Sequence, residues 1–463
     1  MKKVVAAVGL AASGIAGLHA ATLLAPSDAS KPFTATAVFR GFYDDNVNTV
    51  PNNATNKTDS FGFEINPIIG KVISLETTTL SLGYEYSFKY YDQKPSGNTD
   101  NYDQTHTFDL GLDHAFNPLY QLGLRDSFVI GQEPDQLRTD FAISAPHRIS
   151  GDNIRNYGEI KLTGTITREL GFEAGYGNSL WDYHDNSFTD TTTFTTNLVF
   201  AGTNVVATNY FGRRTVSPSL SGVLDRVEHS FHLDGTYVVQ PQTIARVGYR
   251  FTQINYTADQ PVGAGLPTLS PIGPVTPGVI LSDNRDLREH TIYVGATHTF
   301  RPDLTASAAV GGSYIDPYKD ITSAGTDIAP YADVSLNWTY SQSSYVQASL
   351  KHDINATDVA GSSPSQGKIT LDAESTTFRA EFGHRITPKL QASISGELQN
   401  STFNGGINDN QSEIRYLLGL KLNYAFNPHF GTEVGYNYDK LDSDIANRGF
   451  DRNRVYIGFT ASY

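Results

Sequence analysis

The chain of 463 residues contains no cysteine, and Met1 is its only methionine. It therefore has neither a disulfide framework nor a thiolate metal site. It also lacks a basic excess, since its net charge is -14, which argues against nucleic acid as a partner. After the amino terminus there is no apolar run of about 20 residues, so no membrane-spanning helix is predicted. What is abundant is tyrosine, phenylalanine and glycine, a composition that favours β-structure with one wet and one apolar face.

The amino terminus has the layout of a secretory signal peptide. A basic pair at positions 2 and 3 precedes an apolar run that ends near Leu18, and small residues follow at Ala20 and Ala21. The protein is therefore expected to leave the cytoplasm. We predict a cleaved signal peptide over residues 1–20, a short periplasmic segment over residues 21–32, and a transmembrane β-barrel over residues 33–463.

From Phe33 onward the sequence repeats segments of roughly 10–14 residues in which apolar and polar positions alternate, as in β-strands. In Thr79–Lys89 one face is Leu, Leu, Tyr, Tyr, Phe and the other is polar or small. Such segments are about twice the usual strand length and are long enough to cross hydrocarbon. The apolar faces often end on an aromatic residue, as at a membrane interface: Phe116, Phe300, Tyr340 and Phe426.

The connections alternate between short turns and long polar loops. Proline marks several turns, as in Asn117-Pro118 and Asn427-Pro428, while segments such as 185–224 and 258–285 are long. Short periplasmic turns and long extracellular loops are typical of bacterial outer-membrane barrels. We therefore predict an all-β fold, a closed antiparallel transmembrane β-barrel of about 18 strands (16–20) that ends on the strand Asn453–Tyr463. Whether residues 191–211 form a further hairpin is left undecided.

The last strand carries a candidate insertion signal. Apolar and aromatic residues alternate with polar or small ones and the chain ends on an aromatic ring. This resembles the carboxyl-terminal β-signal of bacterial barrel proteins, and the resemblance implies the barrel-assembly machinery as a partner. The candidate signal residues are Val455, Ile457, Phe459, Ala461 and Tyr463.

Near its first strand the chain carries the motif Tyr43-Asp44-Asp45-Asn46. The segment resembles the opening strand of the bacterial β-barrel porin families, in which an early strand runs into such a motif. The resemblance implies an outer-membrane location, contact with outer-membrane lipid and a porin-like role, but no particular solute.

Alternation predicts which charged side chains line the pore. A lumen with charges of both signs fits a water-filled channel, whereas the alternative is that these charges pair off and plug a closed barrel. The candidate pore-lining residues are Glu85, Lys89, Asp109, Asp113, Arg125, Lys161, Arg246, Arg250, Asp333, Arg379, Glu381, Arg385, Arg415, Lys421, Glu433 and Arg454.

Two polar motifs have a chemical and a structural interpretation. The Tyr43–Asn46 motif could bind a cation, but Asp and Asn also favour strand ends and turns, which is the preferred interpretation. The pair His184-Asp185 beside Trp181 could be catalytic, but a loop role is preferred. No catalytic elbow, zinc-binding helix or phosphate loop is present, so no catalytic residue, metal or cofactor is predicted. Inward aromatics are predicted to be isolated, as at Tyr331 and Tyr456, which leaves sugar specificity unsupported.

Together these patterns predict an outer-membrane porin-like channel for passive diffusion of small hydrophilic solutes, and not an enzyme. The alternative is a barrel that serves surface-polysaccharide export or a structural role and is closed at rest. A surface enzyme or adhesin is the least favoured reading. A homo-oligomer is possible, although the sequence shows no interface signal.

Overall fold

The computed structural model describes residues 33–94, 100–132, 151–201, 203–268, 276–319, 327–363 and 367–463. The predicted signal peptide (residues 1–20) and the predicted periplasmic segment (residues 21–32) lie outside these residues. Within the described part, eighteen long strands make up one sheet. They are β1 Thr34–Asp44, β2 Ser60–Ser74, β3 Thr78–Tyr91, β4 Tyr102–Asn117, β5 Tyr120–Gly131, β6 Asn153–Thr165, β7 Leu170–Tyr183, β8 Arg226–Gln240, β9 Thr243–Tyr256, β10 Leu287–Arg301, β11 Leu304–Asp316, β12 Asp327–Ser341, β13 Ser344–Ala356, β14 Lys368–Thr387, β15 Leu390–Gly405, β16 Ser412–Ala425, β17 Phe430–Ser443 and β18 Phe450–Ser462.

The sheet is closed. Each strand pairs antiparallel with its neighbour in sequence, and β1 pairs with β18 from Thr36 opposite Ser462 to Asp44 opposite Arg454. Closure leaves no sheet edge, which is what a lipid environment requires of backbone polar groups. The predicted fold class and strand number are confirmed. The last strand begins at Phe450 rather than at Asn453.

The two ends of the barrel differ. At the turn end, two to four residues join most strand pairs, and Asn117 and Asn427 build such turns by accepting hydrogen bonds from the backbone N–H groups of Tyr120 and Phe430 at 3.1 and 2.9 Å. Proline follows each of these asparagines, because its fixed φ suits the next turn position. At the loop end the connections are longer, up to residues 184–225 after β7.

Apolar side chains cover the outer surface. The outward residues Ile292 and Val310 are 63% and 57% exposed. The inward residues Thr291 and Ser313, which lie opposite each other in the same ladder, are 0% and 1% exposed. Period-two alternation therefore separates a lipid-compatible belt from a polar interior. Aromatic rings gather at the turn end of this belt: Phe116, Tyr120, Phe300, Tyr340, Phe426 and Phe430.

The Tyr43–Asn46 motif fastens the seam between β1 and β18. Asp44 is fully buried and accepts hydrogen bonds from Arg452, at 2.6 Å from Nη2. Asp45 accepts from the backbone N–H of Asn453 at 2.6 Å, and Asn46 donates to the carbonyls of Val50 and Asp451, both at 2.8 Å. The polar groups of the motif thus stabilise closure of the barrel. The motif lies at the end of β1, as the preferred interpretation predicts.

The long loops carry their own secondary structure. The β7–β8 loop (residues 184–225) contains a hairpin of Thr189–Ala201 with Asn204–Ser217, and then the helix α1, Leu220–Leu224. The β9–β10 loop (residues 257–286) contains the hairpin Pro261–Thr268 with Thr276–Leu281. The hairpin that the sequence left undecided is therefore present, but its two strands pair with each other and not with the strands of the barrel. Among the described residues, no helix is long and apolar enough to cross a membrane.

Candidate functional site: the lumen and its loop cap

Ion pairs that cross the interior identify the inward face. Arg250 on β9 donates to both carboxylate oxygens of Asp353 on β13, at 2.9 and 3.0 Å, although three strands separate them. Only side chains that point inside a closed barrel can meet in this way. Glu289 lies 3.2 Å from Arg250, and Lys351 lies 2.8 Å from Asp353. The cluster therefore balances two cations with two carboxylates.

A second network spans the seam. Arg40 on β1 pairs with Glu433 on β17, two strands away, and lies 3.6 Å from Glu64 on β2. Lys421 on β16 reaches the other oxygen of Glu433 at 3.0 Å. A third network joins Arg379 to Glu397 at 2.6 Å on neighbouring strands, with Arg415 on the same carboxylate. Fixed charges of both signs thus line the inner wall.

The sixteen predicted pore-lining residues all occupy positions that alternate with the outward apolar side chains, and the structure brings several of them together. Arg125 pairs with Asp113 at 2.7 Å, and Lys161 lies 3.7 Å from Glu173. Glu85 accepts a hydrogen bond from Asn66 at 2.6 Å, and Glu381 accepts one from Tyr345. In the ladders Lys89 lies opposite Glu64, Asp109 opposite Ser127 and Asp333 opposite Lys351. Arg246 lies over the ring of Tyr293 and Arg454 over that of Phe42, while Arg385 donates to the carbonyl of Pro388 at the turn end.

Inward aromatic rings are more numerous than the sequence predicts. Tyr331 and Tyr456 face inward as expected, but Trp181 and Tyr293 do so as well. Arginine guanidinium groups lie over several of these rings, an arrangement that desolvation strengthens. The arginine-to-ring distances are 5.4 Å for Arg40 and Tyr456, 4.8 Å for Arg226 and Trp181, 5.4 Å for Arg246 and Tyr293, 5.2 Å for Arg250 and Tyr331, and 4.3 Å for Arg454 and Phe42.

Three loops meet around one arginine at the loop end. Arg285, which is fully buried, donates to the carbonyl oxygens of Val223 at 2.8 Å, Thr357 at 2.7 Å and Thr370 at 3.2 Å, and its guanidinium lies 4.3 Å from the ring of Tyr256. One side chain thereby ties the β7–β8 and β9–β10 loops to the loop after β13 (residues 357–367). Burial lowers the pKa of Arg285. We call this assembly of α1 with residues 257–268, 276–286 and 357–363 the loop cap.

The loop cap packs inside the mouth of the barrel. Val223 and Leu224 of α1 contact Trp181 and Tyr183, which are inward residues at the end of β7. A second apolar cluster joins the β9–β10 loop to β14 through Val262, Ile280, Ile369 and Leu371. Because its anchors lie on the inward face, the cap narrows the entrance rather than extending away from it.

Carboxylates fix the cap to the strand ends. Asp225 accepts a hydrogen bond from the backbone N–H of Tyr183 at 2.7 Å, and Asp286 accepts one from Tyr256 at the same distance. Burial raises the pKa of Asp225 to about 6, and the neighbouring Asp182 adds to this rise while hydrogen bonds from Tyr183 and Ser221 oppose it. Asp225 therefore changes charge in a mildly acidic range.

Sequence reasoning missed several of these residues for identifiable reasons. Asp353 and Glu64 lie on predicted strands, and the alternation alone would have found them. Arg285 lies in an irregular loop, where no periodicity indicates which way a side chain points. The candidate catalytic pair of His184 and Asp185 lies in a loop, as the preferred interpretation predicts. His184 is exposed, and Asp185 accepts a hydrogen bond from the backbone N–H of Ser187 at 3.0 Å.

Part of the chain is similar to a known protein family. Residues 325–463 match the family described as putative beta-barrel porin 2. Over this segment the chain is similar to a porin family, and its described strands close into one β-barrel. The resemblance predicted from the sequence is confirmed. No curated protein is similar in sequence to this chain.

Several solved structures are similar to this chain at low sequence identity. OccAB4 from Acinetobacter baumannii is 11% identical with a TM-score of 0.42, and the match covers 93% of this chain and 98% of that one. The outer membrane protein opdK from Pseudomonas aeruginosa is 11% identical with a TM-score of 0.41, covering 93% and 99%. A BenF-like porin from Pseudomonas fluorescens Pf-5 is 10% identical with a TM-score of 0.43, also covering 93% and 99%.

Proposed function

We propose that this porin-type barrel is a channel for the passive diffusion of small hydrophilic solutes. The observation that carries the proposal is a closed wall of eighteen strands whose inner face bears paired charges of both signs. A barrel of this strand number is wide enough to enclose water. Fixed charges that are already paired leave the wall polar without a large net field, so pore width and local charge select among solutes.

The loop cap supports a selective rather than a wide entrance. Arg285 holds three loops inside the mouth, so a solute must pass beside α1 and the strand ends that it covers. We place this loop end at the cell surface and the turn end in the periplasm, in keeping with the usual asymmetry of such barrels. We also propose that residues 1–20 are removed on export, and that the barrel-assembly machinery reads the carboxyl-terminal strand.

We infer no bond chemistry. The family match is to porins, and the candidate catalytic pair His184 and Asp185 serves an exposed loop. A barrel for polysaccharide export that is closed at rest is the second candidate, and the loop cap is its one supporting observation. The two differ in whether solutes cross without any partner.

Liposome swelling separates these candidates. The refolded mature protein is placed in vesicles, and swelling is followed in isotonic solutions of neutral sugars of increasing size. Passive diffusion predicts swelling rates that fall smoothly with solute size. An export barrel that is closed at rest predicts no swelling above that of protein-free vesicles, even for the smallest sugar.

We further propose that two copies meet through the outer face of β5–β8. Asp126 stands halfway along β5, between the outward residues Leu124 and Phe128, and accepts a hydrogen bond from Asn156 at 3.1 Å. The ladder row that starts at Asp126 continues through Gly158 and Asn178 to His229. A carboxylate in the middle of an apolar belt is costly against lipid. The row contains both acceptors and amide donors, so a second copy of the same surface complements it.

Light scattering of the protein in mild detergent tests this interface. The wild type is expected to be a dimer, or a higher closed oligomer, that dissociates when Asp126→Leu and Asn156→Leu are combined. The control Asp113→Leu changes an inward carboxylate and leaves the oligomer intact. A monomeric wild type would show that lipid, and not a second copy, covers this row.

A further inference from the structure

Three potential metal ligands meet on the inner wall between β7 and β8. Glu173 lies opposite Asp234 in the ladder, and His232 is two residues from Asp234 on the same inward face. One ligand atom from each of the three residues can be chosen so that all lie within 4.8 Å of one another. His232 Nε2 is 3.4 Å from Glu173 Oε1. The set consists of one imidazole and two carboxylates.

These groups are buried and incompletely satisfied. His232 is 6% exposed, and neither of its ring nitrogens makes a hydrogen bond with the part of the chain that the structure describes. Asp234 is 5% exposed, and its carboxylate interacts with the hydroxyl of Tyr293, but its Oδ1 has no hydrogen-bond partner among the described residues. A buried polar atom without a partner costs about 1–3 kcal/mol. A neutral imidazole has one protonated nitrogen and one with a free lone pair, so one nitrogen of His232 and Oδ1 of Asp234 are open to a bound cation.

Two glycines make room for this arrangement. A Cβ at Gly175 would lie 2.1 Å from the imidazole of His232, and a Cβ at Gly248 would lie 2.2 Å from Asp234 Oδ1. These glycines face His232 and Asp234 from the two neighbouring strands, β7 and β9. Side chains at either position would push the potential ligands apart, so the wall is shaped to let them lie flat against it.

We propose that Glu173, His232 and Asp234 bind one divalent transition-metal cation of the zinc class on the lumen wall. Imidazole nitrogen and carboxylate oxygen are ligands that Zn²⁺ accepts, whereas Ca²⁺ and Mg²⁺ prefer oxygen alone. Lys161 lies 3.7 Å from Glu173 Oε2, so Oε1, which faces His232, is left for the cation. The positive charge of Lys161 keeps the affinity moderate.

Zn²⁺ binding to the refolded protein in detergent tests the site directly, by calorimetry, with Co²⁺ absorption as a spectroscopic readout. The wild type is expected to bind one Zn²⁺ per chain, and His232→Gln to weaken binding at least tenfold. His290→Gln is the matched control: it lies on β10 and faces outward, where its Nδ1 contacts the hydroxyl of Tyr249 at 2.7 Å. This control should bind as the wild type does.

Two further variants keep the proposal falsifiable if His232→Gln does not refold. Lys161→Met removes a repelling charge and should tighten Zn²⁺ binding severalfold, whereas Gly175→Ala should weaken it by displacing the imidazole. No saturable binding by the wild type, or equal binding by the wild type and Lys161→Met, would overturn the proposal. Binding is measured without current or solute flux, so its failure leaves the proposed channel function standing.

Discussion

The guanidinium of Arg250 holds the carboxylate of Asp353 at 2.9 Å from a strand that lies four positions away around the barrel. A link of this kind fixes the shape of the lumen, because it ties together parts of the wall that share no backbone hydrogen bonds. Both side chains are less than a tenth exposed, so the pair is little screened by solvent.

Replacing Arg250 by Gln should destabilise the barrel. The change leaves two buried carboxylates, Asp353 and Glu289, with Lys351 as the remaining nearby cation. Removing one partner of a buried ion pair typically costs about 3–5 kcal/mol. Unfolding in urea from lipid vesicles measures the loss. Arg301→Gln, which breaks an exposed pair with Asp303, should change the free energy of unfolding by no more than about 1 kcal/mol.

Replacing Arg285 by Ala should release the loop cap. Backbone carbonyls in two other loops and at the start of β14 lose their shared donor, and the apolar contacts of α1 alone then hold the mouth. Quenching of Trp181 fluorescence by acrylamide, in a Trp338→Phe background, should increase, and single-channel conductance should rise. Arg168→Ala, in an exposed turn at the other end, should alter neither quantity. Unchanged quenching in Arg285→Ala would mean that this arginine does not hold the cap.

The packed loop cap should be more stable at acidic pH. Burial raises the pKa of Asp225 to about 6 from an ordinary value of 3.8, so the packed cap binds this proton more tightly than the open loop does. The contribution of Asp225 to cap stability is therefore complete below pH 3.8 and is lost as the pH rises through about 6. Trp181 quenching should increase over this range in the wild type. Asp225→Asn, which keeps an acceptor for Tyr183, should flatten the dependence on pH between 4 and 6.

Breaking the seam between β1 and β18 should lower the stability of the closed barrel more than it lowers the stability of the individual hairpins. Asp44→Ala removes the acceptor that Arg452 bonds from two nitrogens and leaves that guanidinium beside Asp439. The barrel should lose its resistance to dodecyl sulfate at a lower temperature than the wild type. Asp59→Ala, which removes only the exposed acceptor of Tyr43, serves as the control. Equal melting of both variants would contradict the role assigned to the motif.

The strands were predictable because lipid on one side and water on the other impose period-two alternation throughout. Val455, Ile457 and Phe459 point outward, as the sequence predicts, and β1 to β18 follow the same rule. The tight turns at Asn117 and Asn427 were equally predictable, because an asparagine followed by proline favours a turn. The packing of the long loops was not, since Arg285 and Asp225 acquire their roles from contacts between segments far apart in sequence.

The inner network was only half predictable for a related reason. Alternation places Arg250 and Arg379 on the inward face, but it does not say which carboxylate each one meets. Pairing across non-neighbouring strands depends on the cross-section of the closed barrel. That cross-section is a property of the whole ring and of no single strand.

The proposed role of Tyr463 in assembly can be tested separately. Tyr463 donates its backbone N–H to the carbonyl of Ala35 at 2.8 Å, and its ring lies 5.4 Å from that of Phe33. Deleting Tyr463 should strongly reduce insertion in cells while refolding in detergent persists, and Tyr463→Phe should insert normally. The heat-modifiable fraction in outer-membrane preparations is the readout. Normal insertion of the deletion variant would remove Tyr463 from the proposed signal.

Single-channel recording of the refolded mature protein in a planar lipid bilayer tests the central claim most directly. A diffusion channel with a capped mouth predicts stepwise conductance that scales with salt concentration and increases in Arg285→Ala. Insertion verified by heat modifiability, with no current from either the wild type or Arg285→Ala, would contradict the channel and leave a closed barrel.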